Sequence, residues 1–183
     1  MPTRTASELS LCKAVASICE NAAESKDFEI LLRLDDDDTD RFKIAGILEK
    51  TYGVNYVVGP RGIGYTNMGA FVHDLVKIAD SKWCWLFDDD AYVEGDWFTP
   101  LSKIVCDAKR GPAVNAEFYQ LGGSLYPNGA RGEPCGIIVP TEFCKEIPHK
   151  NPVDQQWIDE TKHKGWIFTQ LKGVTYHHDG RQR

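Results

Sequence analysis

The chain has 183 residues, of which 42% are hydrophobic and 26% charged, and its formal net charge is −6. This length predicts one well-packed domain over residues 1–183. The acidic balance and the lack of a basic stripe argue against binding to nucleic acid. No apolar run is long enough for a membrane span, no signal peptide opens the sequence, and the six scattered cysteines fit reduced thiols. We therefore expect a cytoplasmic protein.

The first ninety residues alternate between helical and extended patterns. Apolar residues at helical spacing predict helices at residues 6–23, 41–52 and 67–80. Short apolar runs between them predict strands at residues 28–34, 55–58 and 83–87. This alternation predicts an α/β, Rossmann-like domain with a mostly parallel central sheet flanked by helices. In open sheets of this kind, ligands bind beyond the carboxyl ends of the strands.

After Trp97 the pattern is less regular. Helices are predicted at residues 100–109 and 153–164, strands at residues 113–119 and 136–139, and a final strand or turn at residues 173–178. The glycine-rich segment at residues 122–132 is typical of a mobile loop.

Three consecutive carboxylates, Asp88, Asp89 and Asp90, directly follow the predicted strand at residues 83–87. Adjacent like charges repel one another, and a divalent cation or a bound polar ligand would relieve that repulsion. Oxygen ligands suit Mg²⁺ or Mn²⁺, and these ions commonly hold substrate phosphates. The triplet alone leaves two interpretations open: a metal site for a phosphate-bearing substrate, and a solvated acidic turn.

A second acidic block, residues 35–38 with Asp40, follows the predicted strand at residues 28–34. Because the carboxyl ends of parallel strands meet at one edge of a sheet, we expect the two acidic blocks to converge in space. Such convergence favours a metal or ligand role for the triplet over a solvated turn.

The loop at residues 59–64 contains three glycines and Arg61. Its glycines do not match the G-x-G-x-x-G dinucleotide fingerprint, and Pro60 interrupts the turn. Two interpretations remain open here, a phosphate-binding loop that uses Arg61 and an ordinary turn.

The tail of the chain brings two imidazoles and two guanidiniums close together in sequence, at His177, His178, Arg181 and Arg183. An imidazole can complete a Mn²⁺ site, and arginines can bind a diphosphate through two parallel hydrogen bonds. The alternative is a solvated chain terminus.

Three residues at predicted loop or helix-start positions are candidates for substrate contact. Asp154 lies where the helix at residues 153–164 should begin. It suits an N-cap or first-turn carboxylate, and a general base can occupy the same place. Trp97 and Trp157 are candidates for stacking on a sugar ring.

Taken together, these segments resemble the GT-A fold glycosyltransferases, especially the family-2-like group. Pro-Thr-Arg at residues 2–4 is similar to that group's opening strand end. Residues 28–32 and 35–40 are similar to its second strand and to the acidic turn that contacts the nucleotide base. Leu-Phe-Asp-Asp-Asp at residues 86–90 corresponds to the D-x-D motif. The resemblance runs through most of the chain.

The resemblance implies a role for each candidate residue. Asp88 would contact the ribose or the sugar of a nucleotide-sugar donor, and Asp90 would bind the metal that bridges its diphosphate. His177 or His178 would complete the metal site, and Asp154 would be the base that deprotonates the acceptor hydroxyl. Further residues would take part in donor binding: Thr3, Arg4, Asp35, Asp36, Arg61 and Asp89.

The implied activity is a hexosyl transfer that depends on Mn²⁺ or Mg²⁺. The donor would be a UDP-sugar such as UDP-glucose, the acceptor a saccharide or another hydroxyl compound, and the anomeric configuration would be inverted. Two alternatives stand beside it. One is a sugar nucleotidyltransferase, and the other is a non-catalytic, metal-dependent binder of nucleotides or carbohydrates.

The chain departs from the family pattern in two places. Chains of this group normally carry a full strand ahead of residues 2–4, in the middle of the sheet, and the numbered chain begins without it. Either preceding residues supply that strand, or the sequence begins at an internal methionine, or the sheet is built differently. The base position reads Val-Asp-Gln-Gln in place of the common Glu-Asp pair.

Overall fold

A computed structural model of the chain describes a set of separate ranges, namely residues 1–3, 8–23, 27–107, 113–116, 137–150, 152–164, 168–171 and 174–178. Arg4, the glycine-rich segment at residues 122–132, Arg181 and Arg183 lie outside the described residues, and the expectations for them stay predictions. For Asp154 and His178, the structure describes the backbone alone.

Helices and strands alternate through the described part of the chain. The α-helices are α1 (Glu8–Glu20), α2 (Thr39–Tyr52), α3 (Met68–Ile78), α4 (Phe98–Asp107), α5 (Thr141–Glu146) and α6 (Val153–His163). The strands are β1 (Leu31–Asp35), β2 (Asn55–Gly59), β3 (Trp83–Trp85), β4 (Ala91–Glu94), β5 (Ala113–Ala116), β6 (Ile137–Pro140), β7 (Phe168–Leu171) and β8 (Thr175–His178). A short 3-10 turn, Gly64–Asn67, precedes α3.

Helix α2 begins two residues earlier than the sequence pattern predicts, because the acidic block supplies its cap. Oδ1 of Asp38 accepts a hydrogen bond of 3.1 Å from the backbone nitrogen of Arg41. This bond satisfies one of the unpaired N–H groups of the first helical turn. Gly53, in the left-handed conformation at φ 71°, ends the helix.

The parallel pairing predicted for the first strands is found at β1. Strand β2 runs parallel to β1, in register from Leu31 opposite Asn55 onwards. On the other side of β1, residues 1–3 form a short parallel segment. There the backbone nitrogen of Thr3 donates to the carbonyl oxygen of Arg33 at 3.1 Å, and Pro2 forms a β-bridge with Arg33.

The remaining described strands do not form the expected single, mostly parallel sheet. Strands β3, β6, β5 and β7 form a four-stranded sheet in that order, with β6 antiparallel to both of its neighbours and β7 parallel to β5. Strands β4 and β8 form a separate antiparallel pair. The alternation pattern could not predict these pairings, because they join segments far apart in the chain and depend on side-chain packing.

The buried apolar side chains form two clusters that hold the helices against the strands. The first packs α1 and α2 on β1 and β4, with Leu11, Val15, Leu32, Leu34, Leu48 and Val93 at its centre. The second packs α3, α5 and α6 on β6, with Val72, Ile137, Val139, Phe143 and Trp157 at its centre. Each fully buried side chain of this size contributes about 1.5–3 kcal/mol relative to exposure.

A cavity of about 400 Å³ lies between β1 and β3, and Met1 lines it. The carbonyl oxygen of Lys82 accepts a hydrogen bond from the backbone nitrogen of Thr141, which follows β6. The backbone nitrogen of Leu86 donates to the carbonyl oxygen of Ile137 in β6. Since successive residues of a strand alternate, the backbone groups of Trp83 and Trp85 face the cavity. Nε1 of Trp85 is buried without a hydrogen-bond partner among the described residues. The cavity therefore borders the position at which the family resemblance places a full strand.

Among the described residues, none of the helices combines the length and the apolar character that crossing a membrane requires.

Candidate active site

The acidic triplet forms the turn between β3 and β4. The carbonyl oxygen of Asp88 accepts a hydrogen bond of 3.3 Å from the backbone nitrogen of Ala91, which closes the turn. Asp88 and Asp90 are half-buried, and Asp89 is buried. Two half-buried aspartates, separated by one residue, thus lie where the half-buried strand β3 ends.

Strand β8 brings the tail of the chain back to this turn. In the antiparallel register of β4 and β8, His177 lies opposite Tyr92 and His178 lies opposite Ala91. The backbone of residue 178 is therefore paired with the residue that directly follows Asp90. Strand β4 was not predicted from the sequence, so this pairing could not be foreseen.

His177 occupies a closed environment on β8. Its ring stacks on the ring of Tyr92 at a centroid distance of 4.2 Å and an interplanar angle of 9°. Its Nε2 lies 3.1 Å from Oε2 of Glu94, and Lys13 covers the Tyr92 ring at 3.3 Å. Burial lowers the pKa of His177 below its ordinary value, and Glu94 acts in the opposite direction. Stacking on Tyr92 and burial are therefore a sufficient structural role for the His177 imidazole, without a metal ligand role.

Tyr176 contacts the triplet directly, and sequence reasoning missed it. Its hydroxyl donates a hydrogen bond of 2.8 Å to Oδ2 of Asp88 and accepts one of 3.1 Å from the backbone nitrogen of Asp88. The two residues are 88 positions apart in the chain. No local pattern in the sequence joins them.

The first acidic block is divided among separate cationic partners. Asp35 pairs with the buried Arg33, Asp37 pairs with Arg61 at 2.7 Å, and Asp40 pairs with Lys43 at 3.0 Å. Asp38 caps α2, as described above. Asp36 is exposed, and its backbone nitrogen donates to the carbonyl oxygen of Gly59 at 2.9 Å. Asp36 and Asp37 thus both lie at the surface beside the loop at residues 59–64, and Asp37 is the one that is paired with Arg61.

The loop that carries Arg61 is a packed turn. A Cβ atom on Gly62 would lie 2.2 Å from Cζ of Phe71, so only glycine fits there without movement. Arg61 itself is exposed, and the hydrogen bond and charge of Asp37 raise the pKa of its guanidinium. The turn therefore presents a charged guanidinium at the surface beside the first acidic block.

The segment at residues 1–3 lies between the two acidic regions. Oγ1 of Thr3 donates a hydrogen bond of 2.9 Å to the carbonyl oxygen of Arg33, and Thr3 is buried. Burial lowers the pKa of the Met1 amino group to about 5, while the nearby charges of Asp89 and Asp88 act in the opposite direction. One short segment therefore contacts β1 and approaches the acidic triplet.

Asp154 is the second residue of α6. Pro152 occupies the N-cap position, so Asp154 belongs to the first turn, where the helix dipole favours a negative charge.

The start of α6 is anchored by Trp157, whose Nε1 donates to Nδ1 of His149 at 3.2 Å. Burial and the neighbouring His73 lower the pKa of His149.

The expectation that Trp97 and Trp157 contact a ligand is wrong. Only 4% of Trp97 and 1% of Trp157 are exposed. Nε1 of Trp97 donates to the carbonyl oxygen of Ile18 at 2.8 Å, and Trp157 packs in the second core cluster. Both indoles are anchors of the core, because each finds an internal acceptor for its N–H group.

A divalent cation fits the donor chemistry of the turn between β3 and β4. Where side chains are described, a set that omits His178, no three His, Cys, Asp or Glu residues are grouped to hold a metal. Asp88 and Asp90 nevertheless supply partly exposed carboxylate oxygens, and the β4–β8 register adds residue 178 beside them. Carboxylate with imidazole is a donor set that suits Mn²⁺.

The fold is that of an α/β domain with an acidic turn between β3 and β4, and comparison with known proteins identifies its family. The family model described as Glycosyl transferase family 2 matches residues 1–161. The chain therefore belongs to glycosyl transferase family 2, and its domain is of the GT-A type. The family resemblance stated from the sequence is thereby confirmed.

Two solved structures of S. aureus TarS are similar to this chain. For the structure of TarS 1-349 the TM-score is 0.68 at 16% identity, with 97% of this chain and 58% of that chain covered. For the structure described as TarS the TM-score is 0.66 at 16% identity, with 97% and 35% covered. The chain thus spans little more than half of the shorter relative, and at this identity the likeness shows the fold alone. No curated protein matches the chain.

Proposed function

We propose that this chain transfers a sugar from a UDP-sugar, such as UDP-glucose, to an acceptor hydroxyl with inversion and with the help of Mn²⁺ or Mg²⁺. The observation that carries the proposal is the pairing of β4 with β8. It sets residue 178 beside a turn with two partly exposed carboxylates, Asp88 and Asp90. Family membership supports the class of reaction, and the donor diphosphate would bind at this turn.

In this proposal Asp90 and His178 hold the metal. Residues 176 and 178 share one face of β8 because successive residues of a strand alternate, and Tyr176 contacts Asp88. His177 belongs to the opposite face and is stacked on Tyr92. Of the two histidines proposed from the sequence, His178 is therefore the better candidate. A bound cation there would neutralise charge that develops on the leaving diphosphate.

The donor nucleotide would lie across the segment at residues 1–3, between the two acidic regions. Asp88 would bind the ribose or sugar hydroxyls, and the buried Asp89 would support the shape of the turn. Asp36 would contact the base, because it is exposed, whereas Asp37 is paired with Arg61 and Asp35 is held by Arg33. Thr3 and Arg4 would also take part in donor binding. Arg61 would bind the diphosphate and would then no longer be paired with Asp37.

Asp154 would act as the base. Its backbone belongs to the first turn of α6, where a helix dipole favours a carboxylate in the ionised form, the form that accepts a proton. It would remove the proton of the acceptor hydroxyl while that oxygen attacks the anomeric carbon. The new carbon–oxygen bond forms as the bond to the UDP oxygen breaks, and a single displacement of this kind inverts the configuration.

Replacement of Asp90 tests the proposal. In Asp90→Ala, release of UDP from UDP-sugars in the presence of Mn²⁺ should fall at least about 100-fold, because charge on the leaving group is no longer neutralised. Asp80→Ala removes an exposed carboxylate that follows α3 and serves as the matched control. Thermal unfolding would show that both variants fold. Wild-type turnover in Asp90→Ala would rule out this metal assignment.

A further inference from the structure

We infer that Tyr176 is a positioning residue that fixes the carboxylate of Asp88 for binding of the donor sugar nucleotide. The inference rests on the proposed function. Its starting point is a pair of hydrogen bonds between one hydroxyl and one residue: Asp88 N donates to Tyr176 Oη at 3.1 Å, and Tyr176 Oη donates to Asp88 Oδ2 at 2.8 Å.

The hydroxyl is held rigidly in its place. Only 2% of Tyr176 is exposed, and its ring packs edge-on against Phe87 at a centroid distance of 4.9 Å. A second ring, that of Trp85, lies at 6.4 Å. On β8, Tyr176 is paired with Val93 of β4. Strand pairing and ring packing therefore leave the hydroxyl little freedom to move.

The two hydrogen bonds serve different purposes. The bond from the Asp88 backbone nitrogen satisfies a partly buried N–H group, which is a structural role. The bond to Oδ2 runs in the opposite direction and acts on the side chain alone. Because its acceptor is a carboxylate, this bond is charge-assisted and stronger than one between neutral groups.

The hydrogen bond from Tyr176 can fix the rotamer of the Asp88 side chain. Asp88 is half-buried and begins a run of three like charges, which repel one another and favour outward rotamers. A side chain that must contact a ribose or sugar hydroxyl binds more tightly when its rotamer is set beforehand, because less entropy is lost on binding. Tyr176 sets this rotamer from the far end of the chain.

Substitution of Tyr176 by Phe removes the hydroxyl and keeps the ring. We would measure Kd for UDP-glucose, UDP-galactose and UDP-N-acetylglucosamine with Mn²⁺ by calorimetry, together with KM and kcat for each sugar that is turned over. Tyr176→Phe should weaken donor binding and raise KM about tenfold, which matches the usual strength of a hydrogen bond to a charged group. The kcat should change much less. Tyr56→Phe, on the exposed edge strand β2, is the matched control and should leave all three values unchanged.

A double-variant cycle separates positioning from general stability. If Tyr176 acts through Asp88, then Tyr176→Phe should cause no further loss of donor affinity in an Asp88→Ala background. Equal losses in both backgrounds, or donor affinity unchanged in Tyr176→Phe, would overturn the inference while leaving the proposed function intact. Failure of the wild-type protein to bind any of the three UDP-sugars with Mn²⁺ would reject the proposed function itself, and the inference with it.

Discussion

Neighbouring residues in the sequence can have different roles when a strand separates them onto two faces. His177 stacks on Tyr92 and lies beside Glu94, whereas residue 178 is paired with Ala91 next to the acidic turn. The sequence showed the two imidazoles as equivalent candidates. Only the register of β8 on β4 distinguishes them.

The different faces lead to a prediction for the two histidines. His178→Ala should weaken Mn²⁺ binding at least about tenfold, because a ligand of the proposed site is lost. His177→Phe should retain Mn²⁺ affinity, since a phenyl ring can stack on Tyr92 in place of the imidazole. Electron paramagnetic resonance titration of free Mn²⁺ measures both values. The opposite ranking of the two variants would assign the metal to His177.

At the same scale, the sequence reveals residues whose chemistry is concentrated locally. Asp88 to Asp90 were predicted to form a site because three adjacent carboxylates after an apolar run are unusual, and this stays a prediction. Tyr176 was not, because its partner is 88 positions away and its own surroundings are those of an ordinary core aromatic. The core positions of Trp97 and Trp157 were also missed, since each depends on an internal acceptor that the sequence does not show.

At the scale of elements, helices with a clear apolar period were predicted closely. Helix α3 was expected at residues 67–80 and spans Met68–Ile78, and α6 was expected at residues 153–164 and spans Val153–His163. Strands β4 and β7 and the short helix α5 were missed. Each has only four to six residues, too few to show a period, and they form because partners far away in the chain cover them.

The cavity between β1 and β3 gives a prediction about an added element. We expect about six apolar, β-branched residues joined to the nitrogen of Met1 to fill the cavity and to pair with the backbone of Trp83 and Trp85. The gain in buried area should exceed the ordering entropy and raise Tm by roughly 5 °C. The extension would also convert the buried amino group of Met1 into a peptide N–H.

A Gly-Ser extension of the same length is the control for this experiment. It also replaces the Met1 amino group but adds no apolar surface, so it should raise Tm much less than the apolar extension does. Hydrogen exchange at Trp83 and Trp85 should slow with the apolar extension alone. Equal Tm values for the two extended proteins would show that the cavity does not accept a strand.

At the scale of the whole molecule, the half-buried imidazole of His149 predicts how stability responds to acid. Burial lowers the pKa of His149 in the folded protein, and its Nδ1 accepts the N–H of Trp157. In the unfolded chain the pKa of this imidazole is about 6.5, so the unfolded chain binds a proton there more readily than the folded chain does. The free energy of unfolding should fall as the pH is lowered below that value.

Urea denaturation between pH 7.5 and pH 5.5 checks this expectation. His149→Phe should show a shallower dependence of the unfolding free energy on pH than the wild-type protein. Part of the dependence should remain, because burial lowers the pKa of His177 as well. A variant with the same slope as the wild-type protein would show that His149 is not responsible.

The central claim is that one cation and one diphosphate bind at the turn between β3 and β4, beside the end of β8. Crystals soaked with Mn²⁺ and UDP, measured at a wavelength where manganese scatters anomalously, test it most directly. The account predicts a manganese peak within bonding distance, about 2.0–2.3 Å, of a carboxylate oxygen of Asp90, with residue 178 beside it. A peak at the Asp35 to Asp38 block, or elsewhere away from Asp90, would contradict the account.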